Sequence, residues 1–286
     1  MTELRQRMIE AMVVRGFAQR TQEAYVDAIR RMAQHYRRDP AGYTAQEVQD
    51  YLLHMVRQRS LSYSTMNQAA CAARFLYESV LGRARQEFLV PMAKVAQRQP
   101  DLLGRGEISQ LLLACGQPRQ RMLLQTVYAA GLRVSEACAL ELRDIDSATD
   151  RMCIHVRAGK GGHDRISVLS PTLLALLREH VRCFRPRRWL FGDAVDSRAP
   201  SIESAQRAYQ RARQRARIMK RGGIHTLRHC FATHLLEGGV DLYTISKLLG
   251  HGHISTTARY LHLVSPQFRA PKDIEPLDLL AALRLS

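Results

Sequence analysis

His225-Thr226-Leu227-Arg228 sets an imidazole and a guanidinium three positions apart, so both point the same way on any helix built there. Further along, Leu248-Leu249-Gly250-His251 ends an apolar run with a glycine stop and a histidine just past it, and nine positions later comes Tyr260. Upstream, Gly131-Leu132-Arg133-Val134-Ser135-Glu136 places Arg133 where Glu136 could brace it, and Lys160 sits in a glycine-rich stretch between them. Singly, each has a plainer explanation: a solvated arginine, a histidine at a helix end, a tyrosine in a core. Together they describe a phosphate clamp, because two arginines and a histidine offer forked donors to non-bridging oxygens. A phenol with a pKa of about 10 is a poor nucleophile at neutral pH. Beside two guanidinium groups its phenolate is favoured, so the pKa of Tyr260 is expected to fall. A lysine could protonate a departing 5′ oxygen. Neither a metal nor ATP is needed, since arginines supply the positive charge and a phosphotyrosine ester keeps the energy of the bond it replaces.

Charge agrees with a polyanionic partner. The 286 residues carry 43 Lys+Arg against 26 Asp+Glu, a formal +17, and nearly all of the positive charge is arginine. Guanidinium forks match phosphate, which favours nucleic acid over an anionic membrane surface. No run of about 18 apolar residues is present and the first residues lack the apolar core of a signal peptide. A cytoplasmic protein is expected. Six scattered cysteines without a C-x-x-C pair read as reduced packing residues, neither a disulfide framework nor a zinc site.

The elements that must position these side chains fall into two groups. Residues 1–82 read as four short helices: Leu4, Met8 and Met12 recur at helical spacing, Tyr25, Ile29 and Met32 follow a start at Thr21, and Thr44 with Glu47 forms a capping-box spacing ahead of Val48, Leu52 and Met55. Ser62 or Ser64 opens the fourth, with Ala72, Phe75, Leu76 and Val80 inward. Residues 83–106, punctuated by glycine and proline, read as a linker. Residues 107–286 are expected to be mostly helical around a small antiparallel sheet, whose hairpin joins Arg151–Val156 to Arg165–Leu169 with Lys160 near its tip.

The order Arg133, Lys160, His225-x-x-Arg228, His251, Tyr260 resembles the signature of the tyrosine recombinase (phage integrase) family. The surrounding letters agree: Thr126-Val-Tyr-Ala-Ala-Gly-Leu-Arg-Val-Ser-Glu136, His225-Thr-Leu-Arg-His-Cys-Phe-Ala-Thr-His234, and Ser255-Thr-Thr-Ala-Arg-Tyr260 after Leu248-Leu-Gly-His251. The chain looks most similar to short Xer-like or transposon-associated integrases. The resemblance implies a SAM-like, four-helix core-binding domain followed by an α+β catalytic domain. It also implies that Arg133 and Arg228 grip the scissile phosphate, His225 accepts the tyrosine's proton, Lys160 is the general acid, His251 hydrogen-bonds the phosphate and Tyr260 forms the 3′-phosphotyrosyl link, with no cofactor. The expected partners are double-stranded DNA at two recombination sites and three further copies of the chain, in a homotetramer that passes through a Holliday junction in the bacterial cytoplasm.

Two features extend that reading. The run Arg207, Arg211, Arg213, Arg215, Arg217, Lys220, Arg221 contains no acid; Arg207, Arg211 and Arg215 share a helical face, either solvated or laid against DNA backbone. A last helix over Pro276–Leu285, with Leu277, Leu280 and Leu283 on one face, either packs on its own domain or, as the family implies, docks into a neighbouring protomer. Three other readings compete with the recombinase reading. A zinc hydrolase built on His225-x-x-x-His229 lacks the glutamate it needs, Thr226 standing there instead. A non-catalytic DNA-binding relative should lack a clamp residue, and a type IB topoisomerase shares the chemistry but acts alone.

Overall fold

The computed structural model describes residues 3–84, 92–94, 101–157, 164–192, 198–261 and 277–283. The chain divides into two compact units, Met1–Arg98 and Gln99–Ser286.

The first unit is helical. α1 (Glu3–Val14), α2 (Gln19–Tyr36), α3 (Ala45–Arg57) and α4 (Tyr63–Arg74) enclose Met8, Met12, Ile29, Met32, Val48, Leu52 and Met55, and the last turn of α4 widens to π geometry over Phe75–Val80. The alanines Ala69, Ala70 and Ala73 let α4 lie close to its neighbours, with Leu76 and Tyr77 filling the end of the core. The capping box forms as spaced: Thr44 Oγ1 accepts from the Glu47 amide and Glu47 returns the bond to the Thr44 amide. Ser62, rather than Ser64, caps α4. α2 begins earlier than expected, at Gln19, and Thr21 lies inside its first turn, its amide bonded to the Ala18 carbonyl.

The second unit wraps its helices around α6 (Pro118–Ala129) and α10 (His225–Glu237), whose Leu124, Tyr128, Leu227, Phe231 and Leu235 are almost wholly buried. α5 (Arg105–Leu113), α8 (Pro171–Phe184), α9 (Ile202–Arg215) and α11 (Leu242–Leu249) pack around them, and two short helices, α7 (Val134–Cys138) and α12 (Ser255–Ala258), carry site residues at their edges. The stretch expected to link the units already sends Leu103 into this core and starts α5 at Arg105. The antiparallel hairpin is present as β2 (Cys153–Val156) and β3 (Arg165–Val168), with Val156 opposite Arg165; β1 (Ile145–Asp146) adds a third strand on β2. Among the described residues no helix is long and apolar enough to cross a membrane.

Two segments are less helical than expected. α9 stops at Arg215, and Arg217 turns into left-handed backbone (φ 53°), so the basic run is not one continuous helix. Near the C-terminus the described residues form only a single 3₁₀ turn, Ala281–Leu283, and they seat on their own unit: Leu279, Leu280 and Leu283 are buried in the same core. Asp278 fastens them, accepting from the Ser170 and Thr172 hydroxyls at 2.9 and 2.7 Å.

Candidate active site

The site is built outward from one carboxylate. Glu136 lies in the first turn of α7, where its Oε2 accepts from the Arg133 amide at 2.7 Å and its Oε1 from Arg133 Nη1 at 2.6 Å. From β3, Arg165 donates both Nη1 and Nη2 to the same carboxylate, each at 2.8 Å, and from α10 Arg228 Nη1 stands 3.7 Å from Oε2. Burial alone would raise the Glu136 pKa, but Arg165 and Arg133 outweigh it and hold the group at about 2. A buried carboxylate thus assembles three arginines that would otherwise repel one another.

Backbone carbonyls fix the guanidinium of Arg228. It donates to Gly131 O and Leu249 O, both at 2.6 Å, while Arg165 Nε donates to Leu248 O at 2.9 Å. Two of these carbonyls close α11, where the helix dipole favours cations. The local sequence permits this arrangement through two glycines with positive φ. A Cβ on Gly131 (φ 59°) would sit 2.4 Å from the Phe231 ring, and one on Gly250 (φ 63°) 2.5 Å from Arg165 Cδ. Arg228 is buried, and burial followed by Arg133 lowers its pKa to about 10, so it stays charged at neutral pH.

Around this cluster lie the remaining predicted groups. His251, just past the Gly250 cap, bonds Thr257 Oγ1 at 2.7 Å; burial and then Arg228 and Arg133 bring its pKa to about 4. His225 opens α10 and is exposed, lining a groove of about 580 Å³ with Arg207, Gln210 and Arg211. Partial desolvation, then Arg228 and Arg133, push its pKa below the ordinary imidazole value. Tyr260 follows α12 and is only 6% exposed. Its pKa is raised, not lowered as expected: burial dominates, against the downward pull of Arg228, Arg259 and Arg133. The phenol is therefore protonated at rest. Its hydroxyl lies 2.9 Å from Nδ1 of His229, and among the described residues that is the hydrogen bond it makes.

The structure thus brings Arg133, Glu136, His225, Arg228, His251 and Tyr260 into one electrostatic neighbourhood. Lys160 lies outside the described residues. Of the basic run, Arg207, Arg211 and Arg215 are exposed and meet no carboxylate among the described residues, whereas Arg213 binds the Lys220 and Gly222 carbonyls and Lys220 pairs with Glu107 at 2.6 Å. The His225-x-x-x-His229 pair has its ring centres 6.5 Å apart, with Nδ1 of His229 engaged by Tyr260. Asp146, Cys153 and His155 stand close enough to share a cation, but Asp146 is already used by Arg151 and the Ala148 amide.

Sequence reasoning missed two members. Arg165 was read only as part of a β-prone run, and nothing in its letters says that β3 delivers it to Glu136. His229 had a signal, its one-turn spacing from His225, which was weighed only as metal ligation.

The model of the phage integrase family matches residues 103–265, and that of the phage integrase N-terminal SAM-like domain matches residues 4–87. A putative integrase/recombinase of Sinorhizobium fredii is 36% identical over 282 residues, covering 98% of this chain and 90% of the relative. A tyrosine recombinase XerD of Staphylococcus saprophyticus is 33% identical over 196 residues, 63% of this chain and 64% of its own. Among solved structures, a lambda integrase dimer bound to a core site superposes with a TM-score of 0.74 at 17% identity, over 94% of this chain and 97% of that one, a likeness of fold.

Proposed function

The chain belongs to the phage integrase family, as a tyrosine-type site-specific recombinase, and from that premise we propose that it cuts and rejoins duplex DNA at two recombination sites through a 3′-phosphotyrosyl intermediate at Tyr260. The observation that carries the reading is the Glu136 cluster, which holds Arg133 and Arg228 beside the one phenol of the site before any DNA arrives.

In this reading a scissile phosphate enters beside Arg133 and Arg228, whose remaining N–H donors take its non-bridging oxygens while His251 adds a further hydrogen bond. Tyr260 Oη attacks phosphorus, the P–O5′ bond breaks, and the 5′ oxygen takes a proton from Lys160. The negative charge that develops on the phosphoryl oxygens meets guanidinium groups already held in place, so little reorganisation is needed as the transition state forms. Rejoining is the same displacement in reverse, with the 5′ hydroxyl of either site as nucleophile, so exchange between two sites gives a Holliday junction. Arg207, Arg211 and Arg215 line the approach and hold DNA backbone without reading bases. Four copies act together. Exchange of the C-terminal segment between them would require Asp278 to leave Ser170 and Thr172 and take the equivalent seat in a neighbour.

Trapping tests the proposal. Random-sequence duplexes nicked near their centre let the short fragment that carries the freed 5′ hydroxyl diffuse away, so protein–DNA adducts accumulate and survive denaturant; sequencing them gives the target. Wild-type chain yields adducts on a recurrent sequence, and Tyr260→Phe yields none while binding that sequence as before. Adducts persisting in Tyr260→Phe place the nucleophile elsewhere.

A further inference from the structure

Tyr260 and His229 meet at 2.9 Å on the buried side of the site, whereas His225, the histidine that the resemblance nominates as proton acceptor, opens outward onto the groove with Arg207 and Arg211. Both histidines stand on α10, one turn apart, but they serve different surroundings. His229 is packed against the Tyr260 ring, centroids 5.7 Å apart, and its Nδ1 is the atom facing the phenol. An imidazole facing a protonated phenol through Nδ1 accepts that hydrogen only when it is neutral, with its proton on Nε2. Burial, followed by His225, Arg228 and Arg259, holds the His229 pKa at about 4, so the ring is neutral at physiological pH.

We propose that His229 is a catalytic residue of this recombinase: through Nδ1 it holds the Tyr260 phenol in place and takes its proton as the phosphotyrosyl bond forms. The inference rests on the recombinase reading and replaces His225 as acceptor. In the forward step the Oη–P bond forms, P–O5′ breaks, the phenolic proton moves to Nδ1 of His229 and the 5′ oxygen is protonated separately. In the reverse step the 5′ hydroxyl attacks and returns its proton to the general acid that supplied it, Oη–P breaks, and the imidazolium returns its proton to the departing phenolate, so His229 serves cleavage and rejoining. A phosphodiester beside Arg133 and Arg228 brings negative charge that favours the imidazolium in transit. His225, which feels Arg228 and Arg133 as well, is then left to meet the phosphate from the exposed side of the groove.

Two measurements decide it. The first needs no DNA: in full-length protein labelled with ¹⁵N-histidine, one imidazole shows the Nε2–H tautomer with a hydrogen-bonded Nδ1, and Tyr260→Phe moves that Nδ1 resonance alone. No histidine responding to Tyr260→Phe overturns the contact on which the proposal stands. The second is single-turnover adduct formation at saturating DNA. His229→Ala is expected to slow it by about 100-fold or more, with DNA affinity unchanged, and added imidazole restores part of the rate. His229→Asn, whose side-chain oxygen can accept near the Nδ1 position, keeps the phenol placed but cannot carry the proton; it stays slow and guards against a folding defect in the alanine variant. A His229→Ala protein that cleaves like wild type, or a His225→Ala protein that alone shows the loss and the imidazole rescue, overturns the assignment. Failure of wild type to form any adduct overturns the recombinase reading itself, an outcome recognisably different from a wild-type burst that the variant shares.

Discussion

The second unit contains the same chemical pair twice. Tyr128 of α6 meets Nδ1 of His234 at 2.8 Å, and Tyr260 meets Nδ1 of His229 at 2.9 Å, both imidazoles standing on α10. Both phenols are pushed above their ordinary pKa by burial, and both imidazoles fall, His234 to about 3 and His229 to about 4. What separates them is the charge around the hydroxyl. Tyr128 has one arginine nearby, Arg105, which is itself paired with Glu237, and Glu237 opposes a phenolate there, whereas Cys230 opposes it at both tyrosines. Tyr260 has Arg228, Arg259 and Arg133 all favouring its anion. A buried tyrosine–histidine bond is thus a packing device by default, and the arginines assembled on Glu136 convert one of the two into chemistry.

The largest effect that can break the comparison is exchange of the two tyrosines for phenylalanine. Tyr260→Phe should abolish denaturant-resistant DNA adducts, and Tyr128→Phe should leave them; gel analysis of trapped complexes reads both directly. Next is Arg228→Lys. An ammonium cannot reach Gly131 O and Leu249 O while offering a fork to phosphate, so the single-turnover cleavage rate should fall by about 100- to 1000-fold, the scale of losing one preorganised donor set. A loss below roughly tenfold would show that the buried guanidinium is mainly scaffolding.

That difference in charge was only half legible in the letters. Helical spacing, a glycine stop and a braced arginine make Arg133, His225, Arg228 and His251 legible one by one, while the resemblance to the family joins them with Tyr260 into one set. The direction of the Tyr260 pKa is not legible, because spacing places arginines near the phenol without saying how deeply the phenol itself is buried. Arg165 was hidden for a related reason. Its role depends on strand register, Arg165 opposite Val156, and on α11 presenting Leu248 O to it. The basic run looked uniform by composition, yet the left-handed turn at Arg217 and the pairing of Lys220 with Glu107 divide it into exposed and committed charges. The helices of the first unit were read well wherever a cap fixed them, as at Thr44, and less well at Gln19, where no side chain caps the start.

A third effect concerns the carboxylate that gathers the arginines. Glu136 has a folded pKa of about 2, below the ordinary carboxylate value near 4.5, so it contributes stability that is fully present above about pH 4.5 and lost as pH falls toward 2. The contribution is roughly 3 kcal/mol. Glu136→Gln should therefore lower the stability of the second unit by about that amount at pH 7, more if the arginines are left unneutralised. The gap from wild type should narrow as the pH is taken from 5 to 2.5. Urea unfolding across that range measures it, and a gap independent of pH would mean that the amide loses only geometry.

The smallest effect is the sharpest test of the two-pair comparison. In Tyr128→Phe the ring and its packing remain, but Nδ1 of His234, on a residue only 4% exposed, loses its hydroxyl partner. An unsatisfied buried acceptor costs about 1–3 kcal/mol, which should appear as a lower denaturation midpoint for the second unit. Cleavage by the folded protein should not change, because no arginine cluster ties this hydroxyl to the phosphate. His229→Ala should differ in its second effect: it leaves the buried Tyr260 hydroxyl without its partner, a comparable stability cost of about 1–3 kcal/mol, and adds a large loss of rate in the protein that remains folded. If Tyr128→Phe slowed cleavage while leaving stability intact, local charge would no longer distinguish the two pairs. The division of α10 into a structural His234 and a chemical His229 would then fail with it.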